Sequence, residues 1–299
     1  MKKFNLKEEE ICGYTVSKEM KQVWNIELEM LKELLRVCEK YNLKVFIDSG
    51  SLLGAVRHKG FIPWDDDIDV VMLRKDYDTL LSLPSEEFKN PIFLQSAYSD
   101  KGYYRGHAQL RNSMTTGILP EEAENVEFNQ GIFLDIFPLD EMSKFRIVNK
   151  IKCYRTKFYL KKFRIMYNNA KPSNAVKNLI KKVAKQILKK SDYKKSYRKF
   201  EKGLTSKYFK SDNVAKISFY GSYKEYKPVK KEYFEEIEYL PFEDIMVPVP
   251  KKYDDVLKAY YGDDYMKPVK GTSLHGNVIF DVSKNYIETI KDLKKDDLI

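Results

Sequence analysis

The apolar positions of this chain follow two periods, and the switch between them marks its elements. From residue 17 to about 41, Met20, Val23, Trp24, Leu28, Leu31, Leu34, Leu35 and Cys38 recur at three- and four-residue steps. That is the spacing of one face of an α-helix. Ser17 is placed to cap this helix and Asn42 to end it. Residues 43–48 then predict a short strand, Ser49-Gly50-Ser51 a turn, and residues 52–58 a short helix. Gly60 and Pro63 punctuate the loop that follows. Residues 65–69, four aspartates around Ile68, form an acidic turn that runs into an apolar strand at residues 70–73. A helix is expected over 75–82, and strands near 92–95, 107–111, 115–119 and 131–138.

Beyond residue 142 the pattern turns helical and basic until about 209. Its clearest stretch is 175–190, where Val176, Leu179, Ile180, Val183, Ile187 and Leu188 share one face and lysines cover the other. From about 214 short strands and turns return, with a small helix near 253–261. No internal repeat or low-complexity linker is visible. The pattern predicts an α/β (α+β) fold, a mixed sheet flanked by helices with an additional basic helical segment. The expected division is an N-terminal helix and catalytic core at 1–145, a basic helical insertion at 146–212, and a C-terminal part at 213–299 that completes the core.

Charge sharpens that division. The chain of 299 residues carries a net +10. Residues 150–210 hold 21 Lys and Arg against two acids, Asp192 and Glu201, so the rest of the chain is net acidic. Such a block commonly marks a surface that meets phosphates. Two readings of the helix at 175–190 follow: a helix lying on an anionic membrane, or one packed on the core with its lysines in water. No RNA-binding motif or aromatic stacking platform is visible, so no nucleic-acid partner is expected. Cys12, Cys38 and Cys153 are odd in number and far apart, which fits a reducing compartment better than a disulfide framework. With no apolar leader at the start and no long apolar run, the expected location is cytoplasmic, with peripheral contact at the inner face of the membrane under the first reading of the basic helix.

Chemistry concentrates on Asp67, Asp69 and Asp135. Positions i and i+2 of a strand share a face, with Cα atoms about 7 Å apart. Two like charges so placed are costly unless a cation lies between them. Carboxylate oxygens favour Mg²⁺, which binds through one or two acids and substrate phosphates. Asp135 stands in an otherwise apolar strand, where a shared metal would supply its partner. An edge strand would also tolerate it. Upstream, Gly50 and Ser51 sit where a backbone can approach a phosphate at a helix start. Arg57 and Lys59 are candidate phosphate ligands. His58 and His275 are each open to a structural role as well. Trp64 is placed to stack on a base, to cover a choline methyl group, or to pack in the core. Tyr103, Tyr104 and Tyr220 are further aromatic candidates.

Gly50-Ser51 followed by Asp67-Ile68-Asp69 resembles the nucleotidyltransferase-superfamily signature, with 15 residues between Ser51 and Asp67 instead of the usual shorter spacing. The fuller string from Asp48 through Arg57, His58, Lys59 and Trp64 to Asp69 is similar to the hallmark of the LicD-type phosphocholine transferase family, which is related to fukutin and whose pattern accounts for the longer spacing. The stretch 131–140 resembles that family's second motif. Tyr261-Gly-Asp-Asp-Tyr-Met266 with Pro268 and His275 resembles its C-terminal motif. The resemblance implies a nucleotidyltransferase-like fold and transfer of phosphocholine, or a similar polyol phosphate, from CDP-choline or a like CDP-activated donor. The acceptor implied is a sugar hydroxyl of a cell-surface glycan, such as teichoic acid, lipopolysaccharide or capsule, or of its lipid-linked precursor. It also implies that Asp67 and Asp69 hold Mg²⁺ on the donor diphosphate, while Asp135 completes the metal site and takes the proton of the attacking hydroxyl. Two rivals stay open: a nucleotidyltransferase releasing pyrophosphate from a nucleoside triphosphate, and a non-catalytic basic binding module.

Overall fold

The computed structural model of the chain describes residues 4–123, 125–171, 174–189, 192–205, 210–219, 226–269, 271 and 277–295. A hairpin, β1 (Glu9–Ile11) and β2 (Tyr14–Val16), leads into α1 (Lys18–Lys40). Ser17 caps α1 by accepting the N–H of Met20 at 3.2 Å. The expected strand at 43–48 shortens to β3 (Phe46–Ile47). The helix that follows, α2 (Ser49–Arg57), begins three residues earlier than its apolar pattern suggested. Leu52 N–H already bonds Asp48 O at 3.0 Å, so Gly50 and Ser51 lie inside its first turn.

Next come β4 (Asp69–Leu73), α3 (Arg74–Ser82), β5 (Ile92–Gln95), β6 (Ala108–Asn112) and β7 (Thr116–Ile118). The central strand is β8 (Ile132–Ser143), which runs five residues past the stretch read from sequence. It pairs in parallel with β4, Asp69 opposite Asp135 and Leu73 opposite Leu139. Its other edge is shared by β6, antiparallel from Asn112–Ile132 to Ala108–Ile136, and by β9 (Lys210–Ala215), antiparallel from Asp140 onward. The N–H of Asp135 donates to Ile68 O, so the nitrogen of Pro138 faces the opposite edge. There it falls between the ends of β6 and β9, where no ladder donor is missed. With β5 on β6, β3 on β4 and β10 (Val229–Lys230) on β9, the sheet has seven strands of mixed sense. Asp135 therefore stands in the middle of the sheet and not on an edge.

Three helices, α4 (Arg146–Tyr167), α5 (Ala175–Lys189) and α6 (Tyr193–Leu204), form the basic segment between β8 and β9. The hairpin of β11 (Ile237–Phe242) and β12 (Ile245–Pro250), then α7 (Tyr253–Tyr261), β13 (Ile279–Asp281) and α8 (Tyr286–Lys295) complete the chain. The main core lies between α1, α2, the sheet and the β11–β12 hairpin, around Trp24, Leu28, Phe46, Ile68, Val71, Leu134 and Ile136. A second core joins α4 and α6 to the loops around Tyr103, Tyr104 and Phe128. Tyr103 and Tyr104 are buried there as packing groups, whereas Tyr220 lies outside the described residues. At the base of β8, Arg74 of α3 grips buried Asp140 with both nitrogens, at 2.7 and 2.8 Å.

α5 turns its apolar face away from the protein. Val176, Leu179, Ile180, Val183 and Ile187 are exposed, while Asn178, Lys181, Ala184, Lys185 and Leu188 are partly covered. Of the two readings of this helix, packing of its apolar face on the core is the one these exposures contradict. On the inward side Leu188 meets the second core, and Lys181 and Lys185 donate to Ala170 O and Asn169 Oδ1 just after α4.

Candidate metal and phosphate site

The site is assembled where β4 meets β8. Asp69 and Asp135 are register partners on parallel strands, so their side chains leave the sheet on one face. Asp67 precedes β4 by two residues and joins them. One carboxylate oxygen from each of the three lies within 4.8 Å of the others. Asp65, Asp66 and Asp67 converge in the same way, so Asp67 is common to both groups. Burial and mutual repulsion push the Asp67 carboxyl well above the usual carboxylate range. Asp69 rises to about 7, driven up by burial and by Asp135, Asp48 and Asp65, and held down by Lys216. The donor set of the triad is all carboxylate oxygen, with no thiolate, and it gathers negative charge that a hard divalent cation would relieve.

Helix α1 buttresses the acidic loop from behind. Trp24 Nε1 donates to Asp65 O at 3.1 Å. Glu27, one turn further on, is buried, and its carboxyl is raised well above the usual range by burial and then by Asp66 and Asp65. On the other side α2 approaches closely. A Cβ on Gly50 would stand 2.4 Å from Asp65 Oδ2, so the first turn of α2 lies close on the acids and a larger residue there would make the Asp65 carboxylate move. Ser51 is buried and its Oγ accepts the N–H of Asp69 at 2.9 Å, which fixes the start of β4.

Several groups at the site carry no signal in the linear sequence. Lys216, just beyond β9, is buried, and its Nζ donates to Asp48 Oδ2 and Ser49 Oγ, both at 2.6 Å. Ser49 holds a left-handed φ of 51°, a costly conformation for a non-glycine residue that these bonds help to hold. Gln109 Nε2 donates to Asp135 Oδ1 at 2.5 Å, and the Gln109 amide is itself oriented by Arg111, 2.7 Å from Gln109 Oε1. His107 Nε2 lies 3.3 Å from Asp135 Oδ1, and burial holds this imidazole below its ordinary pKa. Gln109 and His107 come from β6 and the residue before it, and they reach Asp135 only because β6 pairs with β8. A lysine, glutamine or histidine at such positions is ordinary in sequence.

The remaining candidates lie away from the triad or point elsewhere. Arg57 ends α2 and donates to Tyr265 O at 3.1 Å and Lys267 O at 3.4 Å, tying α2 to the loop after α7. The first and C-terminal sequence motifs are thereby neighbours in space. Its Nε also donates to His58 Nε2 at 2.9 Å. Lys59 is exposed, with a left-handed φ of 59°, and its carbonyl accepts the N–H of Glu243. Trp64 is half-buried, edge-on to Tyr14 and His58, with Gly271 beside its indole nitrogen. His275 lies outside the described residues.

Residues 42–166, which carry both acidic motifs and most of the sheet, match the family model described as LicD/FKTN/FKRP, nucleotidyltransferase domain. The mixed sheet with its flanking helices is thus of the nucleotidyltransferase type. The chain thus carries a LicD-type domain over these residues. It is 29% identical over 248 residues to the lipopolysaccharide cholinephosphotransferase LicD of Haemophilus influenzae, a match covering 80% of this chain and 88% of that protein. Shorter matches, 46% identical over 48 residues and 16% of this chain, link it to uncharacterized proteins of Rickettsia prowazekii and Rickettsia typhi. Among the described residues no helix is long and apolar enough to cross a membrane.

Proposed function

We propose that this protein transfers phosphocholine, or a similar alcohol phosphate, from a CDP-activated donor to a sugar hydroxyl of a cell-surface glycan or its lipid-linked precursor, with Mg²⁺. The observation that carries the reading is the convergence of Asp67, Asp69 and Asp135 within 4.8 Å. Likeness to a cholinephosphotransferase along most of both chains supports the choice of donor.

A bound Mg²⁺ supplies neutralising charge at the donor diphosphate. Asp67 and Asp69 would be its ligands, with Asp135. The acceptor oxygen forms a bond to the phosphorus that bears choline, and the bond from that phosphorus to the bridging oxygen breaks, releasing CMP. Asp135, whose rotamer Gln109 fixes, would take the hydroxyl proton. The first turn of α2, brought close by Gly50, presents backbone N–H groups near the acids, where a phosphate is favoured. Lys216 balances the charge of Asp48 and holds Asp69 toward its ionised form.

Product identity tests the reading. Purified protein with Mg²⁺, CDP-choline and a glycan acceptor should release CMP, and EDTA should stop it. Pyrophosphate from a nucleoside triphosphate, with no CMP from any CDP-linked donor, would replace this reading with nucleotidyl transfer.

A further inference from the structure

Nine of the large apolar side chains exposed among the described residues lie on two adjacent helices, α4 and α5. On α4, Ile147, Ile151, Tyr154 and Phe158 follow the steps i, i+4, i+7 and i+11, and each is 58–70% exposed. These steps place all four on one narrow stripe. On α5, Val176, Leu179, Ile180, Val183 and Ile187 form a second stripe, 49–66% exposed. The opposite side of α5 faces the protein through Ala184, Leu188 and two lysines, with Lys181 Nζ donating to Ala170 O and Lys185 Nζ to Asn169 Oδ1. An amphipathic helix in a globular protein ordinarily buries its apolar face. Here the arrangement is inverted, which leaves two aliphatic and aromatic stripes facing outward on one part of the molecule.

Charge identifies what covers them. Residues 150–210 carry 21 Lys and Arg against two acids. Lys157 and Lys161 are exposed beside the α4 stripe, and Lys177 and Lys182 beside the α5 stripe. A second copy of the chain docking on this face would set one dense positive block against another. Nucleic acid would make no use of isoleucine, leucine and valine rows. An anionic bilayer accommodates both features, its acyl boundary taking the stripes and its headgroups the lysines. We propose that α4 and α5 dock this protein on an anionic lipid surface, with their apolar stripes in the headgroup–acyl boundary. The inference stands on the helices alone and is independent of the transfer chemistry.

Vesicle co-flotation of the full chain tests it, with phosphatidylcholine vesicles made with or without phosphatidylglycerol. The protein should float with anionic vesicles, weakly or not at all with zwitterionic ones, and less as salt rises. Ile180→Gln with Val183→Gln, both at exposed helical positions, should weaken partition about tenfold or more. Lys177→Glu with Lys182→Glu should weaken it by at least about tenfold. Circular dichroism and an unchanged Tm would show that the variants are folded. No flotation with either vesicle, equal flotation with both, or flotation untouched by the apolar substitutions would overturn the proposal. A concentration-dependent dimer of the wild type, lost in Ile180→Gln/Val183→Gln, would overturn it in favour of a second copy.

Discussion

Lys216 is the side chain whose removal reads most clearly on both fold and site. It is 3% exposed, its Nζ lies 2.6 Å from Asp48 Oδ2, and it stands over the rings of Phe137 and Tyr260 at 5.1 and 5.4 Å. Lys216→Met keeps the aliphatic stem and deletes the charge. Asp48, 1% exposed, then keeps its negative charge in the interior without its cation. Removing one partner of a buried ion pair costs about 3–5 kcal/mol. For a chain of 299 residues the unfolding entropy is about 0.6 kcal/mol per kelvin, so Tm should fall by about 5–8 °C. Asp69 loses the group that holds its pKa down, so the rise in Tm on adding Mg²⁺ at neutral pH should shrink as well. Differential scanning fluorimetry in EDTA and in Mg²⁺ measures both quantities. Asp48→Asn combined with Lys216→Met should cost less than the two single changes added together, because the double variant buries no charge. A Tm within about 1 °C of wild type, or strict additivity of the two changes, would refute the reasoning.

Other expectations follow from the acidic cluster. Asp67→Asn should abolish transfer yet raise Tm in EDTA near pH 8, since the native state then no longer holds a carboxyl raised well above 3.8. That gain should vanish below about pH 4, where native and unfolded states are both protonated. In the metal-free wild type, Asp69 binds more protons folded than unfolded between 3.8 and about 7. Stability measured in EDTA should therefore fall as pH rises through that window, while Mg²⁺ affinity measured by calorimetry rises through it with proton release. Gly50→Ala should leave the protein folded but reduce both Mg²⁺ affinity and turnover by about tenfold or more, because its Cβ must displace Asp65 from 2.4 Å. Turnover equal to wild type would show that the close approach of α2 to the acids is incidental.

The elements that are legible in the sequence are those that local rules determine. Ser17 capping, the eight apolar positions of α1 and the alternation of Asp67 and Asp69 are all short-range signals, and α1 ends within a residue of its expected bounds. Asp69 and Asp135 each stand out within their own stretch, and the parallel pairing of β4 and β8 is what sets them side by side. What sequence could not deliver depends on pairings across many residues. Lys216 reaches Asp48 only because β9 returns to β8, and Gln109 reaches Asp135 only through β6. The start of α2 was misplaced because Ser49, Gly50 and Ser51 read as a turn, whereas the Asp48 carbonyl already accepts a helical bond. The orientation of α5 was hidden for a different reason. A helical period reveals that an apolar face exists and leaves open what covers it. On its inward side α5 meets Ala170, Asn169 and the second core, neighbours that the α5 sequence does not contain.

The most direct test of the central claim is the position of the cation relative to the donor. Crystals soaked with Mn²⁺ and a non-hydrolysable analogue of CDP-choline would be measured at the manganese edge. The account predicts an anomalous peak among Asp67, Asp69 and Asp135, in contact with the diphosphate of the analogue. A diphosphate seated elsewhere, or manganese bound away from these three carboxylates, would contradict it.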